Sequence, residues 1–447
     1  MAATLNAANA TGEPDGTVPV AVQPAPAIPL PPELDPGFYQ PPADLVASKA
    51  PGEIIAARQV NVANAGLIPV NVDAWQVSYR SNNSRDEPIA AIATVLKPRG
   101  SAPDKLVSMQ IAEDSLAAYC SPSYAVQQWS AATAVGQIVA PLEFVVAQAE
   151  LQQGWGVVIP DHQGPNNAFA AGPLAGRITL DGIRAAKNFE PMRLAADTRV
   201  AMYGYSGGAI ATGHAAELKQ SYAPELNIVG AAEGGVPADF GPLLNIGNGQ
   251  VWSGMIMGAV LGLGREYPEF ADLLNRDLNP LGQVLSAIKG GLCVQYNTAL
   301  LPFMNIKGLL NVPEGDPMRN PVVLDTLDKT RMGKAVPDMP MFIWQANPDE
   351  LVPVGPVNTL VDTYCQDPNA QIQYTREHLG EHIATEVSGS ATALLWLRDR
   401  LNGVAAAPGC STSDDGLMAL NPDGLALLGQ TFGDTIASFF GKAIGVK

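Results

Sequence analysis

Val200-Ala201-Met202-Tyr203-Gly204-Tyr205-Ser206-Gly207-Gly208-Ala209-Ile210-Ala211-Thr212-Gly213 is the stretch on which the fold turns. An apolar run suited to a buried strand feeds Gly-x-Ser-x-Gly, and small residues suited to a closely packed helix follow. A bare Gly-x-Ser-x-Gly is common, and an ordinary Gly-rich turn between a strand and a helix is the plain alternative. The strand–turn–helix context makes the match specific. Strand and helix approach so closely in such a turn that a Cβ at the flanking glycines would clash. Ser206 is then expected to project from the C-terminal edge of a sheet. The Gly207 N–H, at the helix N-terminus, would face any negative charge that develops on a carbonyl oxygen there.

Outward from this turn, short apolar runs bounded by turn residues alternate with helical stretches. Trp75–Ser81 and Ala90–Lys97 read as two strands joined by the polar turn 82–86. Leu106–Ile111, Gly156–Pro160, Arg199–Tyr203, Asn227–Ala232, Met341–Trp344 and Gln371–Tyr374 continue the series. The pattern predicts an α/β fold with a mostly parallel sheet covered on both faces. Residues 43–235 and 336–410 form its core. Residues 236–335, rich in Leu, Gly, Met and Pro, interrupt the series, and segments such as Phe270–Leu274 and Leu285–Ile288 look helical. They are expected to form an inserted, mainly helical cap whose apolar residues serve its own core or receive an apolar ligand. Residues 1–42 hold ten prolines and are expected to be extended and to lack sheet of their own. Residues 411–447 form a tail, in part an amphipathic helix through Leu425–Leu428 to Phe439. There is no internal repeat.

Composition narrows the function. Apolar residues make up 47% of the chain and charged residues 15%, enough for a large core. The net charge of −17 repels phosphate backbones and anionic membranes, which argues against a nucleic-acid partner. No segment is apolar for the roughly 20 residues a membrane span needs. The N-terminus has no basic start followed by an apolar run, so a mature form with its leader removed and Met1 added is expected. Cys120, Cys293, Cys365 and Cys410 are too widely spaced for a zinc or redox motif, and an even number suits two disulfides in an exported protein. No metal-ligand cluster and no cofactor signature is present, so neither a metal nor a cofactor is expected.

A serine hydroxyl needs a base, and the chain has four histidines. His214 lies two turns along the helix after Ser206, too far to reach it. His162 precedes Ser206, whereas chain order in this arrangement runs Ser, acid, His. His378 and His382 both follow the last strand of the series. His382, which opens a helix after Gly380-Glu381, is the favoured base over His378 on the loop. The acid should follow a strand between the two. Asp349, in Asn347-Pro348-Asp349-Glu350-Leu351-Val352-Pro353, is placed to accept the imidazole Nδ1 proton. Asp239 is the runner-up, and neighbouring Glu350 is expected to point elsewhere.

These segments, with Asp161-His162-Gln163-Gly164-Pro165 and Leu180-Asp181-Gly182-Ile183-Arg184-Ala185-Ala186, resemble the secretory lipase family of the Candida antarctica lipase A type, within the α/β-hydrolase superfamily. The resemblance covers roughly residues 40–405. It implies an α/β-hydrolase fold and ester hydrolysis through Ser206, Asp349 and His382. It implies an oxyanion hole from Gly207 and from Asp114 of Glu113-Asp114-Ser115, a carboxylate that composition alone would assign to loop capping. It also implies the disulfides Cys120–Cys293 and Cys365–Cys410, and a cap over a site for acylglycerols or other esters. The Pro-rich N-terminus and residues 411–447 depart from the pattern.

The expected activity is therefore that of a secreted lipase or carboxylesterase. Its partner is an ester or lipid substrate with transient lipid-interface contact, and no obligate protein partner is inferred. The sequence leaves two rivals open. An acyltransferase would use the same three residues with an alcohol in place of water. A silent binding protein on the same fold would usually have lost one of the three, and this chain keeps them all.

Overall fold

Parallel strands covered on both faces must be apolar along nearly their whole length, and the central strands meet that demand. Every residue of Gly156–Pro160 and Met341–Ala346 is buried, as is all but one of Lys105–Gln110, Arg199–Tyr205 and Ile228–Gly234. The computed structural model describes residues 20–446. In chain order the main sheet comprises β1 (Val22–Pro24), β2 (Ile54–Gln59), β3 (Asp73–Asn82), β4 (Pro88–Lys97), β5 (Lys105–Gln110) and β6 (Gly156–Pro160), then β7 (Arg199–Tyr205), β8 (Ile228–Gly234), β9 (Met341–Ala346), β10 (Gln371–Glu377) and β11 (Gly409–Asp415). Their spatial order is β1-β2-β3-β4-β6-β5-β7-β8-β9-β10-β11. From β6 to β11 all neighbours are parallel, while β3 is antiparallel to both β2 and β4, and β4 is antiparallel to β6.

Alternation along β7 divides the core. Met202 points into one hydrophobic layer with Ile178 and Ile183 of the helix Gly172–Asn188 and Ala209 of the helix Gly207–Tyr222. Ala201 and Tyr203 point into the other, with Phe144 of Val139–Gln152 and Leu397 of His382–Leu401. Helices thus cover both faces, and the C-terminal ends of β5, β7, β9 and β10 share one edge. This is the α/β-hydrolase arrangement.

Between β8 and β9 the chain forms six helices, from Phe240–Gly247 to Pro321–Thr330. Asp239, Asn279 and Asn320 cap three of them by accepting backbone N–H bonds. Their apolar faces join the same core layer as Phe169 and Ile210. The disulfide Cys120–Cys293 fastens this insertion to the segment after β5, and Cys365–Cys410 fastens the helix Val354–Tyr364 to β11.

The edges of the sheet differ from the sequence reading. Residues 1–19 of the Pro-rich stretch lie outside the described residues. Within the rest, Val22–Pro24 pairs with β2, so the segment does contribute sheet. An outermost strand needs backbone donors on one side only and so tolerates Pro24. β2 itself falls before the first strand in that reading. β11 spans the 410/411 boundary drawn between core and tail, and all of its residues are exposed. The tail's helix is Pro422–Phe439.

Candidate active site

Ser206 sits between β7 and the helix Gly207–Tyr222 at φ 50° and ψ −117°, a strained conformation for a residue with a Cβ. Small neighbours make the turn possible. A Cβ on Gly204 would come 2.5 Å from the Gly208 carbonyl oxygen. One on Gly208 would collide with the Gln110 carbonyl of β5, and one on Gly207 with the Asp114 carboxyl.

The structure brings Ser206, His382 and Asp349 into one chain of hydrogen bonds. His382 Nε2 lies 2.9 Å from Ser206 Oγ, and His382 Nδ1 lies 2.8 Å from Asp349 Oδ2. Asp349 is itself held at both oxygens. Oδ1 accepts the backbone N–H groups of Leu351 at 2.9 Å and Val352 at 2.6 Å, and Oδ2 accepts Gln345 Nε2 at 2.7 Å. His382 is buried, and its N–H donates to Glu350 Oε2 at 3.1 Å while its carbonyl accepts the Tyr205 hydroxyl at 2.6 Å. Burial alone would pull the imidazole pKa down. The hydrogen bond to Asp349 and the charges of Asp349, Glu350 and Glu386 outweigh it and leave the value raised.

Asp114 also reaches this place. It follows β5 at φ 42°, is buried, and sets its carboxyl against Gly207, with Oδ1 lacking a hydrogen-bond partner. Burial pushes its pKa up to about 7 against the pull of His382, so the carboxyl holds a proton over part of the neutral range and can donate it in a hydrogen bond.

The alternatives lie elsewhere. Asp239 accepts the Gly241 N–H as a helix cap. His378 is largely exposed and bonds Asp414 at 2.8 Å. His214 is buried against the Ile210 carbonyl, and His162 bonds the Ile111 carbonyl at 2.7 Å. Glu350, expected to point away, instead contacts the His382 backbone. Gln345 and Tyr205 carry no sequence signal of their own, and strand alternation from Trp344 and Ser206 is the one clue that could have placed them.

A narrow cavity opens on Ser206 and Gly207, lined by Phe169, Ile210, Phe240, Leu243, Met255 and Ile256 among others. A second lies within the insertion and shares Ile256 as a wall. Among the described residues no group of three or more His, Cys, Asp or Glu is arranged to hold a metal ion.

A family model described as secretory lipase matches residues 128–409. The chain belongs to the secretory lipase family. This secretory lipase is 35% identical to a protein named lipase A from Arthroderma benhamiae, over 94% of the chain and 90% of that protein. It is also 35% identical to a secreted triacylglycerol lipase of Malassezia furfur, over 91% of the chain and 84% of that protein. Among solved structures it matches Candida antarctica lipase A in its closed state with a TM-score of 0.81 at 32% identity, covering 90% of this chain and 95% of that one. This lipase is accordingly a carboxylic ester hydrolase of the α/β-hydrolase fold. Its kinship with secreted enzymes and its two disulfides mark it as a secreted protein, and no described helix is long and apolar enough to cross a membrane.

Proposed function

We propose that this lipase hydrolyses acylglycerols and related long-chain esters through an acyl-enzyme on Ser206. The observation that carries the proposal is the hydrogen-bonded chain from Asp349 through His382 to Ser206, opening into an apolar cavity. His382 takes the Ser206 proton as Oγ attacks the ester carbonyl, and Asp349 fixes the tautomer and stabilises the imidazolium. The oxygen that gains charge is met by the Gly207 N–H and the protonated carboxyl of Asp114. Each such donor is worth a few kcal/mol of barrier. His382 then gives its proton to the leaving alcohol, and a water deprotonated by His382 releases the acid.

The cavity supports an apolar acyl group. Phe240, Leu243, Met255 and Ile256 come from the insertion, while Phe169 and Ile210 come from the core. An alkyl chain held there would bury its surface between the two, with Met255 adapting to its shape. The test is fatty-acid release from a triacylglycerol emulsion beside hydrolysis of p-nitrophenyl butyrate. Release from both is expected. Hydrolysis of the butyrate alone would reduce the enzyme to a short-chain esterase, and hydrolysis of neither would remove the proposal.

A further inference from the structure

The segment Asp161-His162-Gln163 plays no part in the proton relay, yet all three side chains turn toward the stretch after β5 that carries Asp114. Asp161 accepts the Ser123 N–H at 2.8 Å and the Ser123 hydroxyl at 2.5 Å. His162 bonds the Ile111 carbonyl, and the Gln163 N–H approaches Glu113 Oε1 at 3.4 Å. The Gln163 side chain is buried and makes the most telling contact. With its amide oriented to match its partners, the oxygen accepts the Asp114 N–H at 3.0 Å and the nitrogen donates to the Ser115 carbonyl at 2.7 Å.

Two consequences follow. A buried N–H that already has a partner is not free for a substrate oxygen, so the Asp114 backbone is occupied. The pair of bonds also clamps the Asp114-Ser115 segment at both ends, at the peptide before Asp114 and the peptide after Ser115, and so holds the left-handed conformation of Asp114 that aims its carboxyl at Gly207. Resting on the proposed acyl-enzyme reading, we infer that Gln163 is a positioning residue for the oxyanion site: it sequesters the Asp114 N–H and leaves the Asp114 carboxyl as the donor that works beside Gly207. The titratable groups around that carboxyl are His382 and Glu386 on the helix His382–Leu401, Glu143 on the helix Val139–Gln152, and adjoining Glu113. Glu143 steadies the same loop by accepting the Ala112 N–H.

The experiment compares kcat and KM of wild type, Gln163→Leu and Gln163→Glu on p-nitrophenyl butyrate across pH, with melting temperatures. Leu keeps the bulk and removes both bonds. Its kcat is expected to fall on the order of 10²-fold, the loss typical of one oxyanion donor, with KM within about twofold because the apolar cavity is untouched. Glu can accept the Asp114 N–H but can donate to the Ser115 carbonyl only when protonated. Gln163→Glu should therefore approach wild-type kcat at acid pH and fall away from it as pH rises. A residue that merely supported the fold would lower the melting temperature without that divergence. Wild-type kcat in Gln163→Leu overturns the inference. If that variant does not fold, a Gln163→Glu profile parallel to wild type overturns it instead. A wild type without esterase activity would strike the acyl-enzyme reading itself.

Discussion

Replacing Asp349 by Asn exchanges one oxygen for an amide group, and the surroundings dictate which way the amide turns. Oδ1 accepts two backbone N–H groups, from Leu351 and Val352, so the remaining oxygen must stay there. The new NH₂ then faces His382 Nδ1 and Gln345 Nε2, where Asp349 Oδ2 now accepts at 2.8 and 2.7 Å. An NH₂ donates, so Nδ1 must become an acceptor and the ring proton moves to Nε2, pointing at Ser206 Oγ. A base that already holds its proton on that nitrogen cannot take another from the hydroxyl. The expected loss in kcat is on the order of 10⁴-fold, or about 5.4 kcal/mol of barrier. Gln345 is also left donor to donor. Turning its amide would break its bonds to the Val236 N–H and the Val352 carbonyl, each 2.9 Å, so a destabilisation of about 1–3 kcal/mol accompanies the change. Initial rates on p-nitrophenyl butyrate, at a temperature where thermal melts show the variant folded, check this. Asp239→Asn is the control, because Asn caps a helix about as well as Asp, and it should stay within about twofold of wild type. Asp349→Asn within tenfold of wild type, or Asp239→Asn as the damaging change, would refute the reasoning.

Two further outcomes follow from the same geometry. Ile256 is the wall shared by the cavity at Ser206 and the one deeper in the insertion, so Ile256→Ala should move preference toward longer p-nitrophenyl esters in a butyrate-to-palmitate series, and Ile256→Trp toward shorter ones; unchanged preference in both would detach the second cavity from acyl binding. The pH profile of kcat/KM should be bell-shaped. Its acid limb comes from His382, which serves as a base only when neutral and whose pKa is raised, so activity falls as pH drops through that value. Its alkaline limb comes from Asp114, which donates only while protonated and whose pKa burial pushes up to about 7 against the pull of His382. Asp114→Asn carries a donor that does not titrate, so it should be slower at the optimum but lose the alkaline limb, and an alkaline limb unchanged in that variant would exclude the carboxyl as donor.

The buried centre of this molecule was legible because its constraints act locally. Gly204, Gly207 and Gly208 announce a turn in which no Cβ fits. Apolar runs such as Gly156–Pro160 and Met341–Trp344, too short for buried helices and bounded by turn residues, read as strands covered on both faces. Chain order after the turn then picks Asp349 and His382 from few candidates. Legibility ends where identity stops being dictated by burial. β11 is polar and exposed, held in the sheet by pairing with β10 rather than by its own side chains, and no apolar pattern marks it. Val22–Pro24 joins an edge where proline is tolerated. The contacts that hold the proposed catalytic groups, Gln345 to Asp349 and Gln163 to Asp114, depend on how strand ends and loops meet in space, and an amide at those positions reads in sequence as any other polar residue.

The most direct measurement on the central claim is covalent capture of the nucleophile. The enzyme would be treated with a p-nitrophenyl alkylphosphonate, which mimics the tetrahedral adduct, and the site located by mass spectrometry of the digested protein. Stoichiometric labelling of Ser206 with matching loss of ester hydrolysis is expected, and Ser206→Ala should be folded, unlabelled and inactive, since Ser206 Oγ is the atom that meets His382 Nε2. Label on another residue, or hydrolysis retained by Ser206→Ala, would contradict it.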